Sequence, residues 1–255
     1  MTLEELLSEL RENILGDRSD RIDGDSDRLW SDATLVRYIE EAQRRFARRS
    51  LILRDSRTED VVQVTLETGV TEYVLHSSVL MVVSAKLEGE SYDLPRTGHS
   101  SLDEYRSPDL QFFDASQLTI LAPGKPLAYT TDETLAESDD TSFGSVVLRV
   151  YPAPSATYNG DKILLRVARL PIERLTAENL EAVPELPEIH HLEMLDWAAY
   201  LALRIVDVDA GFPTRAREFA DSFEAHVAAA KATVKRKLLA PVRWGFGQGG
   251  YSWER

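Results

Sequence analysis

The chain reads as an α+β protein. An α-helical bundle forms from its N- and C-terminal segments, an antiparallel β domain (a small sandwich or barrel) is inserted between them, and an extended arm closes the C-terminus. Three observations predict this. Apolar residues recur at helical spacing up to about residue 49 and again after Pro171. Between residues 59 and 171 the pattern changes to alternation and β-branched runs broken by turn-rich pieces. The segment 241–255 carries four aromatics among four glycines, a composition found nowhere earlier in the chain. The resulting parts are N-terminal bundle helices over 1–58, the β insert over 59–171, C-terminal bundle helices over 172–240 and the arm over 241–255.

The first helix is expected from Thr2 to Leu15. Thr2 can cap it while Glu5, three residues on, reaches back; Leu3, Leu6, Leu7, Leu10 and Ile14 make its apolar face, and Gly16 stops it. Residues 17–28 are charged and aperiodic, as in an exposed linker. Ser31 or Asp32 caps a second helix to about Arg49, with Leu35, Ile39, Ala42 and Phe46 facing inward. Arg44, Arg45, Arg48 and Arg49 crowd its last turns, where cations complement the helix dipole. Strands are expected at Val61–Glu67, Thr71–Leu75, Val79–Glu88, Gln117–Ala122, Pro126–Thr130, Ser145–Tyr151 and Lys162–Arg169. Thr68-Gly69, Ala122-Pro-Gly-Lys125 and Tyr158-Asn-Gly-Asp161 supply turns, and the acidic run Asp132–Asp140 reads as a long hairpin tip or loop.

Pro184-Glu-Leu-Pro-Glu-Ile-His-His191 then feeds a helix that is apolar on two stripes. Leu192, Leu195, Ala199, Leu203 and Val206 form one; Trp197, Leu201, Ile205 and Val208 form the other. So wide an apolar surface needs more than one packing partner, which points to the bundle, to a neighbouring subunit, or to both. Trp197, Tyr200 and Leu201 are the residues expected at that packing surface. A last helix over about Pro213–Leu238, roughly 40 Å long at 1.5 Å per residue, carries Ala216, Phe219, Ala220, Phe223, Val227, Ala230, Val234 and Leu238 on one face. In the arm, Trp244, Phe246, Tyr251 and Trp253 are anchor side chains of the kind that dominate interfaces. The other reading is a tail folded back over its own core.

Composition bounds the function. Lys and Arg number 29 against 43 Asp and Glu in 255 residues, a formal charge of −14. Such a surface repels free nucleic acid, whose phosphates are held by clustered Lys and Arg. The absence of cysteine excludes disulfides, thiolate metal sites and cysteine nucleophiles. The start Met1-Thr-Leu-Glu-Glu5 lacks the features of a signal peptide, and no apolar run reaches membrane-spanning length, so a soluble protein made in the cytoplasm is expected.

No catalytic, cofactor or metal residue is assigned. Asp23-Gly-Asp-Ser-Asp27 is rich in oxygen ligands, but Arg28 stands where a calcium loop needs glycine and Thr34 where it needs an acid. His190, His191 and Glu193 include two adjacent histidines that point about 100° apart on a helix. Polar contacts at a helix start explain them better than chelation. Glu40 and Glu41 or the acidic run could be drawn as a glycosidase pair, but among 43 acids such pairs arise by chance. Phosphate-cradling glycine motifs are absent.

The order of these features resembles the head–tail adaptor (connector, or head-completion) proteins of tailed bacteriophages. The resemblance runs through Trp30-Ser-Asp-Ala-Thr-Leu-Val-Arg-Tyr-Ile-Glu-Glu-Ala-Gln-Arg-Arg45, Val150-Tyr-Pro-Ala-Pro154, Leu164-Leu-Arg-Val-Ala-Arg-Leu-Pro171, and Pro184–His191 with the Ala198-Ala199-Tyr200 helix and the long last helix. It implies a structural virion protein without enzymatic activity: a commonly dodecameric ring of identical subunits at the neck, docked under the portal protein. The ring would extend the DNA channel and receive the tail. It further implies that Trp244, Phe246, Tyr251 and Trp253 reach the portal and that the β domain faces tail, nozzle or tail-fibre proteins. DNA would pass without sequence-specific binding, and no membrane is involved. The alternatives are another neck or tail ring component, or a cell-wall glycosidase or carbohydrate-binding module of a phage particle.

Overall fold

The computed structural model describes residues 1–17, 29–97, 122–133, 146–204 and 212–239. Helix α1 (Leu3–Glu9) opens with a complete capping box: Thr2 Oγ1 accepts from Glu5 N–H at 3.3 Å and Glu5 Oε2 accepts from Thr2 N–H at 2.9 Å. Two of the first turn's orphan donors are thereby satisfied. The helix does not stay α-helical to Leu15 as the spacing suggests. Leu10–Leu15 widen into a π-helical turn, and Gly16, at φ 72°, ends it in the left-handed region that glycine adopts without a Cβ clash. Arg11, inside that turn, is buried. Its guanidinium donates to Asp17 at 2.7 Å, to the Trp30 carbonyl at 3.1 Å and to Asp32, fixing the entry to the next helix.

Helix α2 (Asp32–Ser50) is capped by Ser31, whose Oγ accepts from Thr34 N–H at 3.2 Å. Leu35, Ile39, Ala42 and Phe46 are all fully buried on its inner face. Two further helices follow the β region. Helix α4 (His191–Arg204) is entered through a 3-10 turn, Glu188–His190, and α5 spans Phe212–Leu239. One apolar core joins α1, its π turn, α2, α4 and α5, closed at the edge by Trp30, Leu53, Leu175 and Leu186. Its α4 residues are Met194, Leu195, Trp197, Ala198, Ala199, Ala202 and Leu203; its α5 residues are Ala216, Phe223, Val227 and Ala230.

Seven strands form two antiparallel sheets among the described residues: β1 (Arg54–Asp55), β2 (Gln63–Thr65), β3 (Glu72–Val74), β4 (Val79–Leu87), β5 (Ala128–Glu133), β6 (Val146–Tyr151) and β7 (Lys162–Arg169). In the first sheet β7 is central. β4 runs along one edge, in register Leu87↔Ile163 to Val79↔Arg169. The other edge is shared, β2 pairing near the start of β7 (Gln63↔Leu164) and β1 near its end (Arg54↔Ala168). The second sheet has the order β3-β6-β5. Both sheets feed one core: Ile163, Leu165 and Val167 alternate inward from β7, and Val146, Leu148 and Val150 from β6. The layered arrangement is the sandwich-like alternative, and the described strands close no barrel.

Three expectations are corrected. The strand expected from Val61 begins only at Gln63, because Glu59–Val62 form a short helix, α3. The Asp55 carboxylate turns the chain just before it, accepting from Arg57 N–H, Thr58 N–H and Thr58 Oγ1, and Val61 and Val62 N–H then bond to the Thr58 carbonyl. Asp132, expected in a hairpin tip, pairs with Val147 inside β5, its carboxylate 3.2 Å from Arg149. Leu192, expected on a buried stripe, is half exposed, since its side of the first turn of α4 faces away from the core that buries His191, Met194 and Leu195. The expected strand Gln117–Ala122 lies, but for Ala122, outside the described residues, as does most of the Asp17–Arg28 linker with its Asp23–Asp27 run.

The two cores are tied by one ion cluster. Arg169, at the end of β7, donates from Nε to Asp55 Oδ2 at 2.7 Å and from a terminal nitrogen to Glu185 Oε2 and the Leu170 carbonyl. Glu185 also accepts from the N–H groups of Ile172 and Glu173, and its own N–H donates to Gln43 Oε1 on α2 at 3.1 Å. β1, β7 and the loop before α4 thus meet at one guanidinium, and the Glu185 N–H carries the contact on to α2.

Candidate functional site

The surface of interest is built where α2, α4 and α5 meet. The spacing of Leu195, Ala198, Ala199 and Ala202 turns the small side chains of α4 inward, so that α2 and α5 approach it closely. Larger rings fill the edge of that seam. Phe223 of α5 lies edge-on to Phe46 of α2 with centroids 5.8 Å apart, and Trp197 of α4 lies 5.2 Å from Phe223 and 4.6 Å from Tyr200. Trp197 is buried, whereas Tyr200 and Leu201 are half-buried and pack against the margin of the core. All three sequence-singled residues therefore sit at the boundary between interior and surface. Ile205, Val206 and Val208 of the two stripes lie outside the described residues, as do the arm residues Trp244, Phe246, Tyr251 and Trp253.

The guanidinium of Arg45 lies over the Trp197 ring, 3.8 Å from its centroid, a cation–π contact that holds the side chain flat. Beside it a cleft of about 320 Å³ is lined by Glu41, Arg44, Arg45, Arg48, Arg49 and Leu170. The charges of this cluster are only partly answered. Arg49 pairs with Glu224 of α5, and Arg44 stands 3.7 Å from Glu40 one turn earlier. Neither Arg45 nor Arg48 has a carboxylate partner among the described residues. The spacing of these arginines was legible in the sequence. Dipole complementarity and local ion pairs account for part of the cluster, and the stacking on Trp197 was not foreseeable.

The histidines at the start of α4 take up polar contacts. His190 Nδ1 bonds Glu193 Oε2 at 2.5 Å, and His191 donates from Nε2 to the Leu186 carbonyl at 2.8 Å. Burial pushes the His191 imidazole down from its ordinary pKa. Across the helix pair, Glu193 is also 3.4 Å from His226, which stands 3.6 Å from Asp196, and Ser222 Oγ donates to Asp196 at 2.7 Å. Burial raises the Asp196 carboxyl above its usual range, although Ser222 and His226 act the other way. This ladder of polar groups fixes the register of α4 on α5, and sequence reasoning missed it because His226 and Asp196 are far apart in the chain. Among the described residues, no trio of His, Asp and Glu is placed to hold a metal ion. No described helix is long and apolar enough to cross a membrane.

An α+β chain with well-packed cores, an arginine-lined cleft and half-buried aromatics at its helix seams has the features of an assembly component. A family described as SU10 adaptor protein matches residues 1–245, and the chain belongs to that family. It is a phage structural adaptor, a component of the virion. No curated protein matches it.

Proposed function

We propose that the protein is the subunit of a head-to-tail adaptor ring that docks under the portal, extends the DNA channel and offers the tail its attachment surface. The observation that carries this reading is the family match across residues 1–245. A structural rather than catalytic role fits the polar clusters of the helix seams, whose members bond mainly to one another. The net charge of −14 suits a channel through which DNA slides without adhering. At the end of α5 Lys231, Lys235, Arg236 and Lys237 are exposed, past Ala230, the last buried residue among those described. In this reading Trp244, Phe246, Tyr251 and Trp253 are the residues that bind the portal.

Deleting residues 241–255 tests this. A truncated protein that unfolds like the full chain in urea but is absent from purified portal particles is the expected result. Loss of folding would instead assign the aromatics to the protein's own core. Full-length protein that leaves the portal bare and cleaves purified peptidoglycan would reject the adaptor reading in favour of a cell-wall enzyme.

A further inference from the structure

Ring closure by identical subunits demands two different surfaces that fit each other, one on each side of every subunit. Resting on the ring reading above, we infer that the arginine cleft of α2 is one of these surfaces, and that it receives the glutamate face of α1 from a second copy of this chain. The cleft concentrates Arg44, Arg45, Arg48 and Arg49 on a protein whose overall charge is −14. Arg48 is exposed and meets no carboxylate among the described residues, and Arg45 spends its charge only on the Trp197 ring. Arg45 Nε is moreover buried without an acceptor. A guanidinium held flat by stacking has lost its conformational freedom before any partner arrives, so it costs little further entropy to engage a carboxylate.

The complementary surface lies on the same molecule. Leu3, Leu6, Leu7 and Leu10 turn inward from α1 and its π turn, leaving Glu4, Glu5 and Glu12 exposed and Glu9 half exposed. No ion pair reaches any of the four among the described residues; their bonds are local, to Thr2, Asn13 and Ser8. At 1.5 Å per residue the acidic face from Glu4 to Glu12 is about 12 Å long. The cleft from Glu41 to Arg49 is also about 12 Å long by the same measure. Among the described residues no hydrogen bond or ion pair joins the two faces within one molecule. Arginine matches carboxylates in a forked, bidentate geometry, and Leu170 gives the cleft one apolar wall against which a glutamate stem can lie. Duplex DNA is the poorer occupant. It is a wide rod that would have to enter past Glu41 and across an acidic surface. A contact made mostly of half-exposed charges is weak singly and salt-sensitive, so it suits subunits that gather on a template.

Reciprocal charge reversal tests the contact. One variant carries Arg44→Glu with Arg48→Glu; the other carries Glu9→Lys with Glu12→Lys, leaving the Glu5 cap intact. Each alone should fail to form rings on purified portal, and to form cross-linked pairs in solution, while circular dichroism shows it folded. Their equimolar mixture should recover both, because alternating subunits restore every junction. Either variant assembling alone as well as wild type would overturn the inference, and so would a mixture that fails to recover. Wild-type protein that shifts a 30-base-pair duplex at physiological salt through the same arginines would overturn it in favour of DNA. Wild type that forms the cross-linked pair but leaves the portal bare would refute the portal reading and leave this contact standing; wild type that forms neither would refute both. Should a reversal variant misfold, glutamine at the same positions is expected to weaken pairing about tenfold, and unaltered pairing would overturn the proposal.

Discussion

Replacing Arg169 by alanine removes the one guanidinium that ties β1, β7 and the loop before α4 together. Its side chain is 14 % exposed, and its partners Asp55 and Glu185 are 7 % and 22 % exposed. Breaking a buried ion pair by deleting one partner costs about 3–5 kcal/mol, because the charge left behind stays desolvated. Two facts reduce that figure here. Asp55 keeps hydrogen bonds from Arg57 N–H, Thr58 N–H and Thr58 Oγ1, and Glu185 keeps those from Ile172 and Glu173 N–H. Glu185 is also open enough to recover some hydration. A loss of about 2–3 kcal/mol is therefore expected, read as a shift in the urea midpoint at unchanged slope. In a protein of this size that corresponds to roughly 4–12 °C in Tm. The acid limb should respond as well. Burial opposes ionisation of Asp55, but the hydrogen bonds from Arg57, Thr58 and Arg169 outweigh it and hold the carboxyl far below the ordinary carboxylate range. A folded pKa below the unfolded value near 3.9 means stability that is present above that pH and lost as pH falls through the acid range. The alanine variant should retain most of this slope, since three of the four hydrogen bonds come from residues 57 and 58. A loss under about 0.5 kcal/mol, the level of a surface pair, would refute the reasoning that this cluster joins the two cores.

Phe223→Ala should cost about 3–5 kcal/mol in urea unfolding, since the ring is fully buried between Phe46 and Trp197; a cost below about 1 kcal/mol would mean that the site collapses on itself. Thr2→Ala should destabilise by about 1 kcal/mol through loss of the capping box, with the helical circular dichroism signal otherwise unchanged. Asp196→Asn should raise the urea midpoint at neutral pH, because burial makes the charged form costly while an amide oxygen still accepts from Ser222. A folded pKa raised above the unfolded one gives wild type a contribution present below about pH 3.9 and lost as pH rises through the folded value. The advantage of asparagine should therefore shrink on acidification, and an advantage that grows would reverse the assignment.

Much of the functional reading was carried by chain order rather than by any chemical motif. The helix–β–helix succession pointed to the adaptor family, which the match over residues 1–245 establishes. The arginine run at the end of α2 was visible as a run. Its character as a cleft was not, because Trp197 and Leu170, which stack and wall it, come from distant positions in the sequence.

Features that a few consecutive residues decide were legible before folding is considered. Thr2 with Glu5 sets the start of α1, Gly16 the end of the π turn that follows it, Ser31 the start of α2, and the spacing of Leu35, Ile39, Ala42 and Phe46 its inner face. These are satisfied by neighbours three or four residues away, so the information is local. Only the folded chain decided the pairing of β1, β2 and β4 around β7 and the exposure of Leu192. It alone also brought together Arg169, Asp55 and Glu185, and His226 with Asp196 and Glu193. Each of these depends on groups far apart in the chain that become neighbours only once apolar burial has brought the elements together. A valine run such as Val146-Val147 satisfies a helix or a strand equally until distant strands pair with it.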